Sequence, residues 1–318
     1  MRQPLWERRA MACWSRTVSR IAVGLMLVLA AALTSPHPTA AQSPPPLSYD
    51  IETAIPLISR SVFGRGREEK IDADLFRPKR AGRLPAAVIT PSSGGIATHV
   101  ELYYARLLAA RGMAVLVVDS FTPRGILRTV EDQSQIFVWQ SIADAVAGRD
   151  WLAKQEFVDP DRIIVLGMSK GAIIANRLAM TTELQARQLN QVRFAAHVAI
   201  TPSCTVQTED AKTTGAPMLF QLGEHDDYTD PKPCIDYTQR IQAAGARNIR
   251  YAVYLGGRHA FEGTGGASQI NAQTWRDDCS YFRRNARTFV NRRNGAAITG
   301  AAGHPGKSNA MLNNKSRK

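Results

Sequence analysis

The sequence predicts an α/β fold, a mostly parallel doubly wound sheet with an antiparallel hairpin at its N-terminal end. Three observations carry this expectation. Short apolar runs of strand length alternate with helix-period stretches between residues 84 and 256. The runs are continuously apolar, as strands covered on both faces must be. Two earlier stretches, LSYDIETA (47–54) and KIDADLFRP (70–78), read as an opening hairpin that extends the sheet antiparallel.

Taken in order, LPAAVIT (84–90) is the first buried-type strand, and HVELYYARLLAARG (99–112) is the helix after it. MAVLVVD (113–119) is followed by the helix-like QSIADAVAGRDWLAKQ (140–155). RIIVLGM (162–168) runs into KGAIIANRLAM (170–180), a strand leading directly to a helix. FAAHVAI (194–200) and APMLFQLG (216–223) continue the series, and PCIDYTQRIQAAG (233–245) supplies the next helix. RYAVYLG (250–256) is the last strand and residues 271–293 the closing helix. No internal repeat or linker interrupts 47–293, so a single domain over 42–294 is expected.

The ends differ from this body. Arg8, Arg9, Arg16 and Arg20 precede the uncharged run Ile21–Leu33, and small residues then offer a cleavage point after Ala41. Basic, apolar and small residues in that order mark a secretory leader over 1–41, with Met11 an alternative start. The apolar run has 13 residues, short of the roughly 20 that span a bilayer as a helix. Export is expected, with no stable membrane insertion after cleavage.

The formal charge of +13 belongs to the termini: residues 1–41 contribute +4, 279–318 contribute +9, and 42–278 balance 26 basic against 26 acidic residues. The segment 295–318 reads as a basic, disordered tail. No basic stripe with interleaved aromatics is present, so no nucleic-acid partner is expected. After loss of Cys13 with the leader, Cys204, Cys234 and Cys279 remain. They lack the spacing of a zinc site; a disulfide between two of them suits an oxidising compartment. Neither a metal nor a cofactor is implied.

GMSKG (167–171) sits where strand meets helix. Gly167 and Gly171 lack Cβ atoms where the two backbones crowd a sharp turn, and that turn lifts the hydroxyl of Ser169 above the strand's carboxyl end. It also aims the first N–H groups of the helix at the reacting centre. A serine nucleophile needs a base held by an acid, in the chain order Ser, Asp, His. His37 and His304 lie in the ends, while His99 and His197 precede or sit inside elements. His259 follows the last strand in a glycine-rich loop and is the expected base; His225 is incidental. Asp226, three residues beyond Gly223, is the expected acid, with Asp227 its rival one residue along. The backbone N–H of Lys170 is one donor of an oxyanion hole. The other comes from PSSGG (91–95), with Ser93 favoured over Ser92 and Gly94. The side chain of Lys170 is expected to point away, leaving a Ser–Lys dyad a minor reading.

GMSKG, together with VVDSFTPRG (117–125), TPSC (201–204), LGEHDDYTDPKPC (222–234) and GGRHAFEG (256–263), resembles the dienelactone hydrolase-like branch of the α/β-hydrolases over residues 70–290. The resemblance implies the α/β-hydrolase fold and a small ester or lactone as substrate. Two departures stand out. Ser169 replaces the cysteine nucleophile of the enzymes that gave the family its name, and Pro91–Ser92 replaces the usual His–Gly of the oxyanion loop.

Within that fold Cys204 and Cys234 lie near the carboxyl ends of adjacent strands, within bridging range, with Cys279 a competing partner. Phe121, Arg124, Tyr228 and Phe261 are candidates to line the pocket, Arg124 by holding a substrate carboxylate. The favoured function is an exported serine hydrolase of small esters or lactones acting through an acyl-enzyme. A serine peptidase, which has no propeller or large cap here to select peptides, and a non-catalytic binding protein are the alternatives.

Overall fold

The structure, a computed structural model, describes residues 47–60, 68–205, 212–259 and 261. The leader, Cys279, the expected closing helix and the basic tail lie outside the described residues. Strands β1 (Tyr49–Arg60), β2 (Glu68–Pro78), β3 (Leu84–Thr90), β4 (Ala114–Asp119), β5 (Val158–Met168), β6 (His197–Ile200), β7 (Met218–Gly223) and β8 (Ile249–Tyr254) form one eight-stranded sheet. Its order is β1-β2-β4-β3-β5-β6-β7-β8. The pairs β1–β2 and β2–β4 are antiparallel, and every pair from β4 through β8 is parallel.

Helices α1 (Glu101–Ala109), α2 (Val138–Ala153), α3 (Lys170–Arg177), α4 (Thr181–Ala186) and α5 (Lys232–Ala243) make the connections. Strand β4 explains why the runs carry no polar alternation. Ala114, Leu116 and Val118 pack with Ile142, Ala145 and Leu152 of α2 on one side. Val115 and Val117 pack with Tyr104, Ala105 and Ala109 of α1 on the other. Both faces of the pleat are dry, so every position must be apolar. A third cluster sets Phe220 and Leu222 of β7 against Tyr237 and Ile241 of α5.

Boundaries shift where tertiary context overrides local signals. Strand β1 runs past the expected Ala54 to Arg60, through Pro56. A proline is tolerated there because β1 is the sheet edge, where one row of N–H groups is unpaired anyway. Ala54, at φ 56°, sits in a register shift between Glu52 and Ile55, and the bulge lets Ile55 and Leu57 both reach the core. Helix α3 ends at Arg177, short of the expected Met180, and a second short helix follows. Among the described residues no helix is long and apolar enough to cross a membrane.

Candidate active site

Because β3, β5, β6, β7 and β8 run parallel, the loops that leave them open at one edge of the sheet, the place where this architecture builds its sites. Strand β5 delivers Ser169 to that edge. Ser169 has φ 53° and ψ −114°, a conformation that costs a non-glycine residue about 1–3 kcal/mol and persists only where its surroundings enforce it. The enforcement is visible. A Cβ on Gly167 would lie 2.2 Å from the carbonyl carbon of Gly171, and one on Gly171 would lie 2.3 Å from the Thr90 oxygen. Thr90 Oγ1 donates to Gly171 O at 3.0 Å, and Ser169 N–H donates to Ile200 O at 2.9 Å. Strand, helix and the β3 loop are thus pressed together around one serine, as the glycine spacing of GMSKG requires.

The loop after β7 folds around Asp226, which is buried while its neighbours Asp227 and Tyr228 are exposed. Its Oδ1 accepts from the amides of Tyr228 (3.0 Å) and Thr229 (2.8 Å), an Asx turn. Its Oδ2 accepts from Thr229 Oγ1 at 2.8 Å. The loop after β8 is tied alongside, with His225 N–H donating to Gly257 O at 2.8 Å. His259 Nδ1 then meets Asp226 Oδ2 at 3.0 Å and Oδ1 at 3.2 Å. Asp227 instead faces Arg258 at 3.5 Å on the surface. Of the two acids that the sequence left open, Asp226 is the one in contact with His259, and the His225 side chain lies on the surface.

Burial pushes the Asp226 carboxyl up, but hydrogen bonds from His259 and from the amide and hydroxyl of Thr229 outweigh it. The net effect holds the group below its ordinary value, ionised and pointed at the imidazole. Since Nδ1 faces a carboxylate it carries the proton, and Nε2 is left as the basic nitrogen of the ring. Thr201 closes the circuit back to the serine. It follows Ile200, whose carbonyl holds Ser169 N–H, and its own carbonyl lies 3.1 Å from Thr229 Oγ1.

The loop after β3 presents its candidates unequally. Ser92 N–H is committed to Glu101 Oε1 at 2.8 Å, which removes it as an oxyanion donor, whereas Ala97 N–H takes the other oxygen of that buried carboxylate at 2.9 Å. Ser93 is buried and is held through its carbonyl by Thr129 N–H (2.7 Å) and through its hydroxyl by Gln133 Nε2 (2.9 Å). Lys170, the first residue of α3, donates from its ammonium to Ile136 O at 2.7 Å.

Of the four expected pocket residues, one stands at the site. The Tyr228 ring is exposed and lies 4.8 Å, centroid to centroid, from the His259 ring. Phe121 is buried in the core beneath Gly95. Phe261 is buried 4.6 Å from the Tyr254 ring, anchoring the His259 loop from below. Arg124 requires a correction. Its guanidinium binds both oxygens of the fully buried Asp144 at 2.8 and 3.0 Å, Glu69 through Nε at 2.6 Å and again through Nη2, and Ser120 O at 2.7 Å. All five N–H donors are spent on the protein, so Arg124 pins β2 and α2 to the β4 loop rather than meeting a substrate carboxylate.

Cys204 and Cys234 form a disulfide, with Cα atoms 5.0 Å apart, joining the β6 loop to the first turn of α5. Among the described residues no cluster of His, Cys, Asp or Glu could hold a metal ion. Sequence reasoning missed Thr229 and Glu101. Thr229 had a signal, since the spacing D-x-x-T marks an Asx turn with a hydroxyl three residues on; Glu101 looked like any acid in a first helical turn.

Comparison with known proteins places the fold and the family. A curated relative is 26% identical over 212 residues, covering 63% of this chain and 82% of its own; it is described as a probable 2-oxo-3-(5-oxofuran-2-ylidene)propanoate lactonase from a Bradyrhizobium species. A solved putative dienelactone hydrolase from Klebsiella pneumoniae superposes with a TM-score of 0.54 at 20% identity, over 76% of this chain and 98% of that one. Esterase 2 of Thermogutta terrifontis, solved phosphonylated by cyclosarin, superposes with a TM-score of 0.52 at 17% identity, over 73% and 94%. Such distant superpositions establish the fold, an α/β-hydrolase fold. Residues 71–286 match the dienelactone hydrolase family over more than half of the sequence, and the chain belongs to that family.

Proposed function

We propose that this protein is an exported serine hydrolase that cleaves small carboxylic esters or lactones through an acyl-enzyme at Ser169. The observation that carries the reading is the pairing of His259 Nδ1 with a buried, ionised Asp226, at the same sheet edge as a serine held in a strained strand-to-helix turn. In this scheme His259 Nε2 removes the Ser169 proton as Oγ attacks the carbonyl carbon, and Asp226 stabilises the imidazolium that forms. The backbone N–H groups of Lys170 and Ser93 receive the oxyanion. As the tetrahedral adduct collapses, His259 returns the proton to the departing alkoxide. Water, deprotonated by the same nitrogen, then releases the acid and restores Ser169.

Tyr228 lines the mouth on the His259 side. With Arg124 neutralised, nothing in its position supports a role in holding a substrate carboxylate. The leader composition, and a disulfide of the kind that persists in oxidising compartments, support export. The test is chemical: an organophosphorus reagent, the class that modifies the Thermogutta esterase, should label the peptide containing GMSKG, and Ser169→Ala should abolish both labelling and ester cleavage. Labelling elsewhere, with Ser169→Ala still active, refutes the proposal.

A further inference from the structure

The ammonium of Lys170 is an odd group to find where it is. The residue is 6% exposed, and Nζ donates to Ile136 O at 2.7 Å, Gln133 O at 3.3 Å and Thr129 Oγ1 at 3.3 Å. All three partners are neutral. Among the described residues the charge acting on it is that of Asp132, too weakly to offset burial, which lowers its pKa to about 8. Burying a cation on neutral acceptors is costly, and an apolar side chain would fill the same space without that cost.

What the cation holds explains the choice. Residues 129–136 form the last part of the loop between β4 and α2 and carry few apolar anchors: within it Thr129 and Ile136 are buried while 131–135 are exposed. Two of the three residues that accept from Nζ also grip Ser93. Thr129 N–H donates to Ser93 O at 2.7 Å, and Gln133 Nε2 donates to Ser93 Oγ at 2.9 Å. One side chain, rooted in the residue after Ser169, thereby reaches across to the loop that holds the candidate oxyanion donor of the neighbouring strand β3. Three donors on a single tetrahedral ammonium suit a loop that offers two carbonyls and a hydroxyl in different directions.

We infer that Lys170 is a positioning residue, its side chain bracing the β4–α2 loop so that the backbone amides of Lys170 and Ser93 keep a fixed separation. This rests on the proposed hydrolase reading. An oxyanion hole stabilises the transition state more than the ground state, so a loosened Ser93 amide should appear in kcat and leave KM nearly unchanged. A displacement of about 1 Å in such a site costs up to roughly 100-fold.

The experiment measures kcat and KM on a p-nitrophenyl ester at pH 7 for the wild type and for Lys170→Met, Lys170→Arg, Gln133→Ala and Ser169→Ala, with unfolding midpoints recorded for each. Lys170→Met should lose about 10- to 100-fold in kcat with KM within threefold. Lys170→Arg, which keeps a charged multiple donor, should recover most of that loss. Gln133→Ala alters an exposed residue and covers the case in which Lys170→Met does not fold; it should lose a few-fold in kcat alone. Unchanged kcat in a folded Lys170→Met, or in Gln133→Ala should Lys170→Met not fold, overturns the inference. So does a loss in Lys170→Met that Lys170→Arg fails to recover at equal stability. Full turnover in Ser169→Ala refutes the nucleophile and the brace together, whereas an inactive Ser169→Ala beside an unaffected Lys170→Met refutes the brace alone.

Discussion

His197 sets an acid limit on this fold, and its size follows from its surroundings. It is fully buried at the start of β6, between Val165 of β5 and Met218 of β7. Nδ1 lies 3.0 Å from Ala175 O, so it carries the proton, while Nε2 is buried without a partner among the described residues. Protonation would place a second N–H, and a charge, where nothing accepts it. Burial accordingly lowers the pKa from 6.5 to about 4, the carbonyl of Ala175 opposing only in part. A depressed histidine contributes stability above its unfolded pKa and withdraws it as pH falls. The unfolded chain takes up the proton near pH 6.5 and the folded one only near pH 4. Linkage gives a loss of about 2 kcal/mol between pH 7.5 and pH 5, approaching about 3 kcal/mol below pH 4. Other groups titrate in that range, so the measurement is a difference. His197→Asn keeps a donor toward Ala175 O and cannot charge. Urea unfolding of both proteins at pH 7.5 and 5.0 should show the variant less stable at pH 7.5, with the gap narrowing by about 2 kcal/mol at pH 5. A gap constant between the two pH values, or a His197 ring signal titrating near 6.5 in the folded protein by NMR, would refute the reasoning.

Asp226→Asn should lower kcat by about 10³- to 10⁴-fold through loss of the imidazolium's partner, while Asp227→Asn, which disturbs a surface pair with Arg258 at 3.5 Å, should stay within twofold; steady-state ester kinetics decide between them. Thr229→Val removes the hydroxyl at 2.8 Å from Asp226 Oδ2 and should destabilise by about 1.5–3 kcal/mol at neutral pH. Because that bond helps depress the carboxyl's pKa, the difference from wild type should shrink as pH falls below the ordinary carboxylate value, and unfolding at pH 7 and pH 3 tests this. The disulfide closes a separation of 30 residues, for which the chain-entropy account gives about 3–4 kcal/mol. Replacing both cysteines with serine should therefore lower the unfolding midpoint by on the order of 10 °C, and calorimetry reads it.

The sheet was legible because its signals are local and repeated. Continuous apolar runs such as MAVLVVD are forced by burial on two faces, and GMSKG carries its own steric reason in two missing Cβ atoms. What escaped depends on direction rather than residue type. Arg124 looked like a free cation beside the site until Asp144, twenty residues further along the chain, Glu69 on β2 and the Ser120 carbonyl took all its donors. Phe121 and Phe261 lie next to functional segments in the chain yet face inward. Strand β1 outran its apparent end because a proline reads as a breaker until its place at a sheet edge is known. The Asp226–Asp227 choice turned on a single residue of register after β7, which no periodicity encodes.

The bond between Cys204 and Cys234 also divides the proposed machinery topologically. Ser169 lies before the covalent ring it closes, His259 after it, and Asp226 inside it. A peptide bond cut anywhere between the two cysteines leaves a single covalent molecule, still carrying serine, acid and base, until a reductant separates the pieces. Proteolytic damage to this stretch of chain becomes a nick rather than a severance.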